Sequence, residues 1–271
     1  MEDEKEFLSG YKLSDYERPS VTADVAAFMI RSEDRTSYRR NPENKLSILL
    51  IKRGGHPFKG MWALPGGFMQ QGETIEECAL RETVEETTVC PNSLVPVGIY
   101  SEPGRDPRGW IISCAYVSVI SEESVKQAGC DDADDAQWFN VSFEQDSAGE
   151  YHLTLRYEDQ ELKAVLTKER TVYGRELFRI KDSGSLAFDH AAIIAAALTT
   201  LRAAAKSFET IFDFLPERFT LTALQKVRET IMDAPVQPAN FRRMISGLVE
   251  ETGEYVRGGG HRPAMLYRRK K

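Results

Sequence analysis

Residues 67–89 read GFMQQGETIEECALRETVEETTV, and this stretch decides both the fold and the chemistry expected of the chain. It contains six acidic side chains, of which Glu82, Glu85 and Glu86 are spaced i, i+3 and i+4. On a helix these three lie on one face, where like charges repel each other. A divalent cation among the carboxylates would relieve that repulsion, and Mg²⁺ or Mn²⁺ prefers such oxygen ligands. An ordinary solvated acidic helix is the alternative explanation.

A turn directly before this segment favours the ligand site over the solvated helix. The run ALPGGF, residues 63–68, contains Pro65 followed by Gly66 and Gly67. Because glycine has no Cβ, a Gly-Gly turn lets the backbone approach a ligand closely. The sequence therefore predicts a turn and an acidic helix that act together.

The turn and the helix resemble the Nudix box, G-x5-E-x7-R-E-U-x-E-E-x-G-U, in which U is aliphatic. The positions in register are Gly67, Glu73, Arg81, Glu82, Glu85, Glu86 and Val89. Two positions depart from the pattern. Thr83 stands at an aliphatic position, and Thr88 replaces the glycine that normally ends the helix in a left-handed conformation.

The resemblance implies a metal-dependent diphosphate hydrolase. Its metal ligands would be Glu82, Glu85 and Glu86 together with the carbonyl of Gly67, holding Mg²⁺ or Mn²⁺. In such enzymes the metal assists the attack of water on a diphosphate.

The resemblance also assigns catalytic roles. An ion pair between Arg81 and Glu73 would brace the loop against the helix, and a carboxylate would take the proton of the attacking water. That general base stays open between Glu85, Glu86 and an acidic residue of the segment 131–135.

The length of 271 residues indicates two domains, which we place at 1–207 and 208–271. The sequence has no run of 18 apolar residues, and its acidic start is unlike a signal peptide. The four cysteines lack the spacing of a zinc site, and the four histidines are scattered. We therefore expect a cytoplasmic protein with no membrane partner and no histidine-based metal site.

Hydrophobic periodicity predicts an α/β first domain. Strands are expected at 21–31, 47–53, 94–101, 110–120 and 136–141, with a hairpin loop at 34–44, further antiparallel strands within 150–182 and a closing helix at 187–207. This order is typical of the Nudix α/β/α sandwich around a mixed sheet.

Three arginines are candidates for substrate binding. Arg105 and Arg108 lie in the polar loop 101–109, and Arg53 ends a predicted strand. Guanidinium groups suit phosphate oxygens, although an ordinary surface loop explains the same residues. Trp62 and Trp110 are expected either to stack on a base or to lie in the core.

The C-terminal part has its own pattern and a different charge. The whole chain has a net charge of −7, whereas 12 basic and 8 acidic residues follow from position 206 onward. Thr220 is expected to cap a helix over 221–232, and Asn240 a second helix over 241–253. A glycine-tipped hairpin follows, so that the sequence predicts a winged helix-turn-helix domain.

Basic residues of this domain suit double-stranded DNA. Arg242 and Arg243 are predicted at the start of the second helix, where a recognition helix meets DNA. Arg257, His261 and Arg262 lie on the expected wing, where they suit phosphate contacts. Winged helices also serve as protein-interaction and dimerisation modules, which is the alternative.

Over its whole length the chain resembles the Nudix-related transcriptional regulators of NAD and sugar metabolism. The resemblance rests on the segments AFDHAAII (187–194), FTLTALQ (219–225), NFRR (240–243) and HRPAMLYR (261–268). It implies an ADP-ribose-like ligand and a homodimer that reads a palindromic DNA operator. Two functions stay open: a Mg²⁺-dependent pyrophosphohydrolase with a DNA-binding domain, or a regulator that binds the nucleotide without hydrolysing it.

Overall fold

The computed structural model describes residues 3–33, 43–91, 93–121, 136–174, 176–208, 210–256 and 263–270. The strands are β1 (Ser20–Glu33), β2 (Glu43–Lys52), β3 (Trp62–Ala63), β4 (Gly66–Phe68), β5 (Val95–Tyr100), β6 (Ile111–Val119), β7 (Ala136–Gln145), β8 (Tyr151–Tyr157), β9 (Gln160–Arg170), β10 (Glu176–Asp182), β11 (Val249–Val256) and β12 (Ala264–Arg269). The α-helices are α1 (Glu4–Gly10), α2 (Ile75–Thr87), α3 (His190–Lys206), α4 (Leu221–Met232) and α5 (Pro238–Ile245). Short 3₁₀ turns lie at Leu13–Asp15 and Ile211–Phe214.

A mixed sheet forms the first part of the molecule. Its strand order is β10-β9-β8-β7-β2-β1-β6-β5, with β3 paired to β2 and β4 paired to β1. The pairing of β1 with β6 is parallel, whereas β2 runs antiparallel to both β1 and β7. The predicted mixed sheet is confirmed, and β1 lies at its centre, next to the strand that carries the Gly-Gly turn.

Alternate residues of β1 pack on opposite faces of the sheet, as the period of two for a strand requires. Ala26 and Phe28 lie in the core that contains α3. Ala23 and Val25 lie in a second core with Cys78 and Ala79 of α2, among other residues. Helices therefore cover both faces, and the predicted sandwich is confirmed.

Most of the predicted elements are confirmed within one to four residues at their ends. The predicted strands correspond to β1, β2, β5, β6 and β7, and the segment 150–182 folds as the antiparallel strands β8, β9 and β10. The helix predicted at 187–207 is α3. Most of the predicted loop 34–44 lies outside the described residues.

The C-terminal part folds as two helices followed by an antiparallel pair of strands, β11 and β12. Thr220 caps α4 as predicted, since its hydroxyl accepts a hydrogen bond from the amide of Ala223 at 3.1 Å. The stripe of Leu224, Val227 and Ile231 is buried. These elements confirm the predicted winged helix.

The second helix of this domain was predicted wrongly in its extent. Asn240 does not cap it, because Gln237 occupies the N-cap position and Pro238 begins the helix. Proline favours the first helical turn, since its φ is already helical and it has no amide hydrogen to satisfy. The helix ends at Ile245 rather than near 253, and β11 begins at Val249.

One continuous apolar core joins the two parts of the chain. Leu198 and Leu201 of α3 share it with Leu224 and Ile231 of α4. The Arg202 Nε also donates a hydrogen bond to the Ile231 carbonyl at 3.2 Å. The domain boundary at 207/208 stays a prediction, and the C-terminal helices pack on the first part across it.

Candidate functional site

The sequence of α2 fixes the ends of the acidic helix. Thr74 accepts a hydrogen bond from the Glu77 amide at 3.2 Å, and the Glu77 carboxylate accepts one from the Thr74 amide at 2.7 Å. This reciprocal capping box starts the helix. At the other end Thr88 takes the left-handed conformation, with φ 59°. The helix therefore keeps the cap that a glycine normally provides.

Thr83 also fits its position in α2. It is fully buried, and its hydroxyl donates to the Ala79 carbonyl at 2.7 Å. A buried hydroxyl is costly only when it lacks a hydrogen-bond partner. Both departures from the box are thus accommodated within a regular capped helix.

Arg81 of α2 forms hydrogen bonds to the loop and the strand that precede the helix. Its guanidinium binds Glu73 through Nε at 3.0 Å and Nη2 at 2.8 Å, as the resemblance implies. The hydrogen bond from Arg81 lowers the pKa of Glu73 to about 2. The same guanidinium contacts the Phe68 carbonyl at 3.1 Å and thereby ties the helix to β4.

The two glycines of the turn lie where no side chain fits. A Cβ on Gly67 would lie 2.4 Å from the Glu82 carboxyl carbon, and one on Gly66 would lie 2.1 Å from the Ala23 carbonyl oxygen. The turn is therefore pressed between β1 and the carboxylates of α2. This close approach is the role predicted for the Gly-Gly pair.

Glu86 is the most enclosed of the predicted metal ligands. It accepts a hydrogen bond from the Gly66 amide at 2.9 Å. The pKa of Glu86 is raised to about 7, mainly by burial and also by the Glu82 and Asp24 carboxylates, against the opposing effects of that hydrogen bond and of Arg53. A concentration of negative charge of this kind fits a divalent cation.

The carboxylates of the predicted metal ligands do not surround a single point in this structure. Arg81 lies between two of them, with Nη1 at 2.7 Å from the Glu82 Oε1 and 3.2 Å from the Glu85 Oε2. Within the described ranges, Glu82, Glu85 and Glu86 do not bring three carboxylate oxygens within 4.8 Å of one another. The Glu85 side chain is 59% exposed, so that its ion pair with Arg81 is open to solvent.

A different set of side chains lies this close together, at the turn between β7 and β8. Asp146, Glu150 and His152 have one ligand atom each within 4.8 Å of the others. However, Asp146 already accepts from two backbone amides and contacts His152, and Lys181 pairs with Glu150. These bonds explain the group as a braced surface turn.

The three predicted substrate-binding arginines meet beside the Gly-Gly turn. We name this place the arginine cleft; it is lined by Arg53, Arg105 and Arg108 together with Thr22, Asp24, Leu64, Gly66, Gly67, Phe68, Asp106, Phe188 and His190. The guanidinium of Arg53 lies 4.8 Å from the centre of the Phe188 ring, and that of Arg108 lies 4.8 Å from the Phe68 ring. Aromatic rings and carboxylates thus orient the cations.

Three aspartates in or beside the arginine cleft, Asp24, Asp106 and Asp189, were missed by sequence reasoning. Asp189 binds Arg105 through both oxygens at 2.7 and 2.8 Å, and Asp106 pairs with Arg108 at 2.7 Å. Buried Asp24 accepts a hydrogen bond from Ser113 and lies 3.6 Å from the His190 Nε2. Asp24 and Asp189 are far in sequence from Arg105, and the loop 101–109 and the segment 187–194 were the parts of the sequence that pointed toward this group.

His190 has a structural role in the cleft. Its Nδ1 accepts a hydrogen bond from the Leu64 amide at 2.8 Å, so that the Nε2 faces Asp24. Burial lowers the pKa of His190 and keeps the ring neutral. It thereby fixes the strand before the Gly-Gly turn against the start of α3.

The other residues predicted to act in the first part differ in their exposure. Trp62 is buried in the core, which excludes it from base stacking, whereas Trp110 is 57% exposed. The acidic segment 131–135, considered for the general base, lies outside the described residues.

In the C-terminal part, Arg242 and Arg243 are exposed on α5. They lie in its last turn rather than at its start, because the helix begins at Pro238. Arg257, His261 and Arg262, predicted on the wing, lie outside the described residues. The DNA-binding assignment of all four arginines stays a prediction.

The fold and the box define the class of the protein: a Nudix-fold domain followed by a winged helix domain. Residues 32–154 match the NUDIX domain family, and residues 211–269 match the NrtR DNA-binding winged helix domain. No helix among the described residues is both long enough and apolar enough to cross a membrane.

Comparison with known proteins places the chain in a family. It is 30% identical to the ADPR responsive transcriptional repressor NtrR of Acinetobacter baylyi over 98% of this chain and 88% of the relative. It is 28% identical to Shewanella oneidensis NrtR crystallised with a 27mer DNA, with a TM-score of 0.62 over 92% of this chain and 93% of the other. The protein therefore belongs to the NrtR family of Nudix proteins with a winged helix.

A third relative matches the first part alone. The ADP-ribose pyrophosphatase of Methanocaldococcus jannaschii is 47% identical over 100 residues, which cover 37% of this chain and 58% of that enzyme. The chain thus resembles both a regulator and a hydrolase.

Proposed function

We propose that this protein is a Mg²⁺- or Mn²⁺-dependent Nudix hydrolase that cleaves the diphosphate of an ADP-ribose-like ligand and binds DNA through its winged helix. One observation carries the proposal: the carboxylates of α2 and the arginine cleft meet at the Gly-Gly turn. Cation ligands and phosphate-binding groups are thus adjacent.

The acidic residues of the box would bind the cation. Glu82, Glu85, Glu86 and the carbonyl of Gly67 would hold the cation, once Arg81 releases Glu85. The half-buried carboxylate of Glu86 fits this set, because burial and the neighbouring Glu82 and Asp24 carboxylates raise its pKa, and a bound cation would offset both effects. When bound, the cation would neutralise charge on the diphosphate and activate water.

The other residues would position the diphosphate and move the proton. Arg53, Arg105 and Arg108 would bind its oxygens, since guanidinium groups form paired hydrogen bonds to phosphate. Glu85 or Glu86 would accept the proton of the attacking water. Arg81 and Glu73 would keep α2 and the turn in register, as their ion pair does here.

The winged helix would add regulation. The A. baylyi relative is named an ADPR responsive repressor, and the S. oneidensis relative was crystallised with DNA. We extend both properties to this chain, with Arg242, Arg243, Arg257 and Arg262 contacting an operator. A homodimer on a palindromic operator, in the cytoplasm, completes the proposal, because two-fold symmetry of protein and half-sites go together.

Nucleotide binding without hydrolysis is the second candidate. It is favoured by the contacts of Arg81 with Glu82 and Glu85, which take up two of the proposed metal ligands. In that case the ligand would act only by changing the pose of the winged helix.

Product analysis after incubation with ADP-ribose and Mg²⁺ separates the two candidates. The parent should yield AMP and ribose 5-phosphate, and the double variant Glu85→Gln/Glu86→Gln should not. A matched control, Glu4→Gln/Glu6→Gln, removes two charges from the exposed helix α1 and should hydrolyse like the parent. A parent without turnover whose melting temperature rises with ADP-ribose would establish the second candidate.

A further inference from the structure

The winged helix domain has a cavity at the base of its hairpin. We name it the wing-base cavity; its volume is about 850 Å³, and it lies between the 3₁₀ turn Ile211–Phe214 and the end of the hairpin at which Glu250 pairs with Arg268. This end is opposite the tip of the wing, where Arg257 and Arg262 are predicted to contact DNA. The wing-base cavity is therefore open to a different partner.

The wing-base cavity has an apolar floor and a basic rim. Phe212, Leu215 and Phe219 line the floor, and the ring centres of the two phenylalanines lie 5.7 Å apart. Arg269 and Lys270 are exposed at the rim, with the Arg269 guanidinium 5.2 Å from the centre of the Phe212 ring. A partner that combines apolar side chains with negative charge would complement this surface.

The acidic side chains of the cavity are compatible with such a partner. Glu250 already accepts a hydrogen bond from the Arg268 Nε at 2.6 Å. Burial raises the pKa of Asp213 against the opposing charge of Arg269. A half-buried carboxylate gains from hydroxyl groups that donate to it, so that Asp213 suits a tyrosine of the partner.

Helix α1 and the turn after it have the properties of this partner. All seven residues of α1 are exposed, including Phe7 at 53% and Leu8 at 61%. The ring of Tyr11 lies 5.7 Å from that of Phe7 and 5.7 Å from that of Tyr16, which extends the apolar surface. Residues 1–17 contain six acidic and two basic side chains. A helix this short is marginal in water by itself, so that α1 would gain stability from a docking site.

The winged helix of the same chain is far from α1. It packs near the end of β1, because Ser32 pairs with Asn44, which lines a cavity together with Lys226 of α4. The 14 residues of β1 place its two ends about 43 Å apart at ~3.3 Å per residue. Residues 11–19, which join α1 to the start of β1, span at most about 32 Å when fully extended. The wing-base cavity within reach of α1 is therefore that of a second copy.

We propose that α1 of one copy docks in the wing-base cavity of a second copy, whose own α1 docks reciprocally. Because α1 and the winged helix lie at opposite ends of β1, a two-fold axis brings both pairs together at once and closes the dimer. Phe7 and Leu8 cover the apolar floor, and the acidic residues of α1 face Arg269 and Lys270. This inference rests on the proposed homodimer and assigns its surface, whereas the arginine cleft and the box belong to one copy.

Cross-linking between two different single variants tests the contact. Ser9→Cys places a thiol on α1, and Glu217→Cys places one at the exposed rim of the wing-base cavity. Both variants also carry Cys90→Ser, because Cys90 is exposed. They would be coexpressed with different tags, purified as a mixed dimer and treated with a short bismaleimide. Ser147→Cys, exposed in the turn between β7 and β8, replaces Glu217→Cys in the matched control.

We expect the two introduced thiols to be cross-linked between chains, with at least tenfold less product in the Ser147→Cys control. Analytical ultracentrifugation of full-length variants provides a second readout. Phe7→Glu/Leu8→Glu should raise the dissociation constant of the dimer about tenfold or more. Val172→Glu/Tyr173→Glu changes two side chains that are 93% and 95% exposed in the turn after β9, and it should dissociate like the parent.

Three results would overturn the inference, and they differ in what they leave standing. A dimeric parent whose mixed variants give no more product than the control would place the dimer surface elsewhere. Cross-linking within one chain of the double variant Ser9→Cys/Glu217→Cys, without product between chains, would assign the cavity to the chain's own α1. A parent that sediments as a monomer would overturn the proposed homodimer as well, while hydrolysis would still be tested separately by product analysis.

Discussion

The arginine cleft and α5, the second helix of the winged helix domain, hold their arginines in opposite ways. In the cleft Arg105 is 95% enclosed and bound by Asp189 through two hydrogen bonds, and Arg108 is paired with Asp106. On α5 Arg242 and Arg243 are exposed, and within the described part of the chain neither pairs with a carboxylate. Fixed cations suit one compact diphosphate, whereas exposed cations without a carboxylate partner suit the extended phosphate backbone of DNA.

The largest expected effect comes from Glu86, the half-buried carboxylate beside the cleft. Glu86→Gln keeps an oxygen that can accept from the Gly66 amide but removes the charge that the cation needs. We expect kcat for ADP-ribose to fall by about 10²–10³-fold or more, the scale for losing a group that acts in the transition state. Steady-state kinetics with Mg²⁺ measures it; a change of less than threefold would remove Glu86 from the metal site.

The same variant should also alter the pH dependence of stability when a chelator removes divalent cations. Because the pKa of Glu86 is raised to about 7 in the folded state from an ordinary 4.5, its favourable contribution is present below pH 4.5 and lost as the pH rises to about 7. Glu86→Gln has no such loss and should be more stable than the parent by roughly 1–3 kcal/mol at pH 8. Urea unfolding at pH 5 and pH 8 measures the difference in the free energy of unfolding between the variant and the parent. A difference of the same size at both pH values would contradict the prediction.

Asp189→Asn tests whether the cleft depends on its fixed pairing. Removing the charge leaves Arg105 buried beside only a more distant carboxylate, Asp24 at 3.9 Å. Breaking a buried pair is strongly destabilising, and we expect a loss of about 1–3 kcal/mol in the free energy of unfolding. The matched control Glu161→Gln breaks surface ion pairs with Arg156 and Lys163 and should cost less than about 1 kcal/mol. If both variants lost the same free energy of unfolding, the expected difference between buried and exposed arginine pairs would be wrong.

The exposed arginines of α5 should act on DNA alone. Arg242→Ala and Arg243→Ala should each weaken binding to a selected DNA duplex by about 1–3 kcal/mol if the residue reads a base, without altering the melting temperature. Arg156→Ala, on the first part of the molecule, is the control and should bind DNA like the parent. Fluorescence anisotropy at fixed salt measures the affinity, and unchanged binding by both variants would indicate a protein-interaction module.

The smallest effect is expected at Thr88, away from both sets of arginines. Thr88→Gly relieves the left-handed conformation of a β-branched residue at the end of α2. We expect a gain of about 0.5–1 kcal/mol in stability and no change in hydrolysis or DNA binding. A loss of stability would show that the Thr88 hydroxyl, which donates to the Thr87 carbonyl at 2.6 Å, stabilises the cap more than its backbone strain costs.

The box and the winged helix differ in how far the sequence could predict them. Glu73, Arg81, Glu82 and Glu86 lie on one turn and helix, so that local spacing alone indicated their relation. The partners of the cleft arginines come from the distant elements that carry Asp24 and Asp189, and only the tertiary fold brings these together.

In the winged helix domain, different local sequence signals predicted different bounds for the second helix, α5. The apolar periodicity of 241–248 suggested a helix that continues, while Pro238 started it earlier and Gly247 lies just after its end. Residues 249–256 instead pair with β12 around the positive φ of Gly253. Pairing with the next strand, β12, overrode the local helical pattern of residues 249–253, and this pairing cannot be deduced from the segment alone.

The measurement that tests the central claim most directly follows DNA binding over time after ADP-ribose is added with Mg²⁺. Anisotropy of a labelled duplex, selected by the parent protein from a random library, would be recorded for the parent and for Glu85→Gln/Glu86→Gln. We expect ADP-ribose to shift DNA affinity in both proteins, and the shift to decay in the parent alone as the ligand is hydrolysed. A shift that persists equally in both would contradict hydrolysis, and the absence of any shift would contradict the link between the cleft and the winged helix.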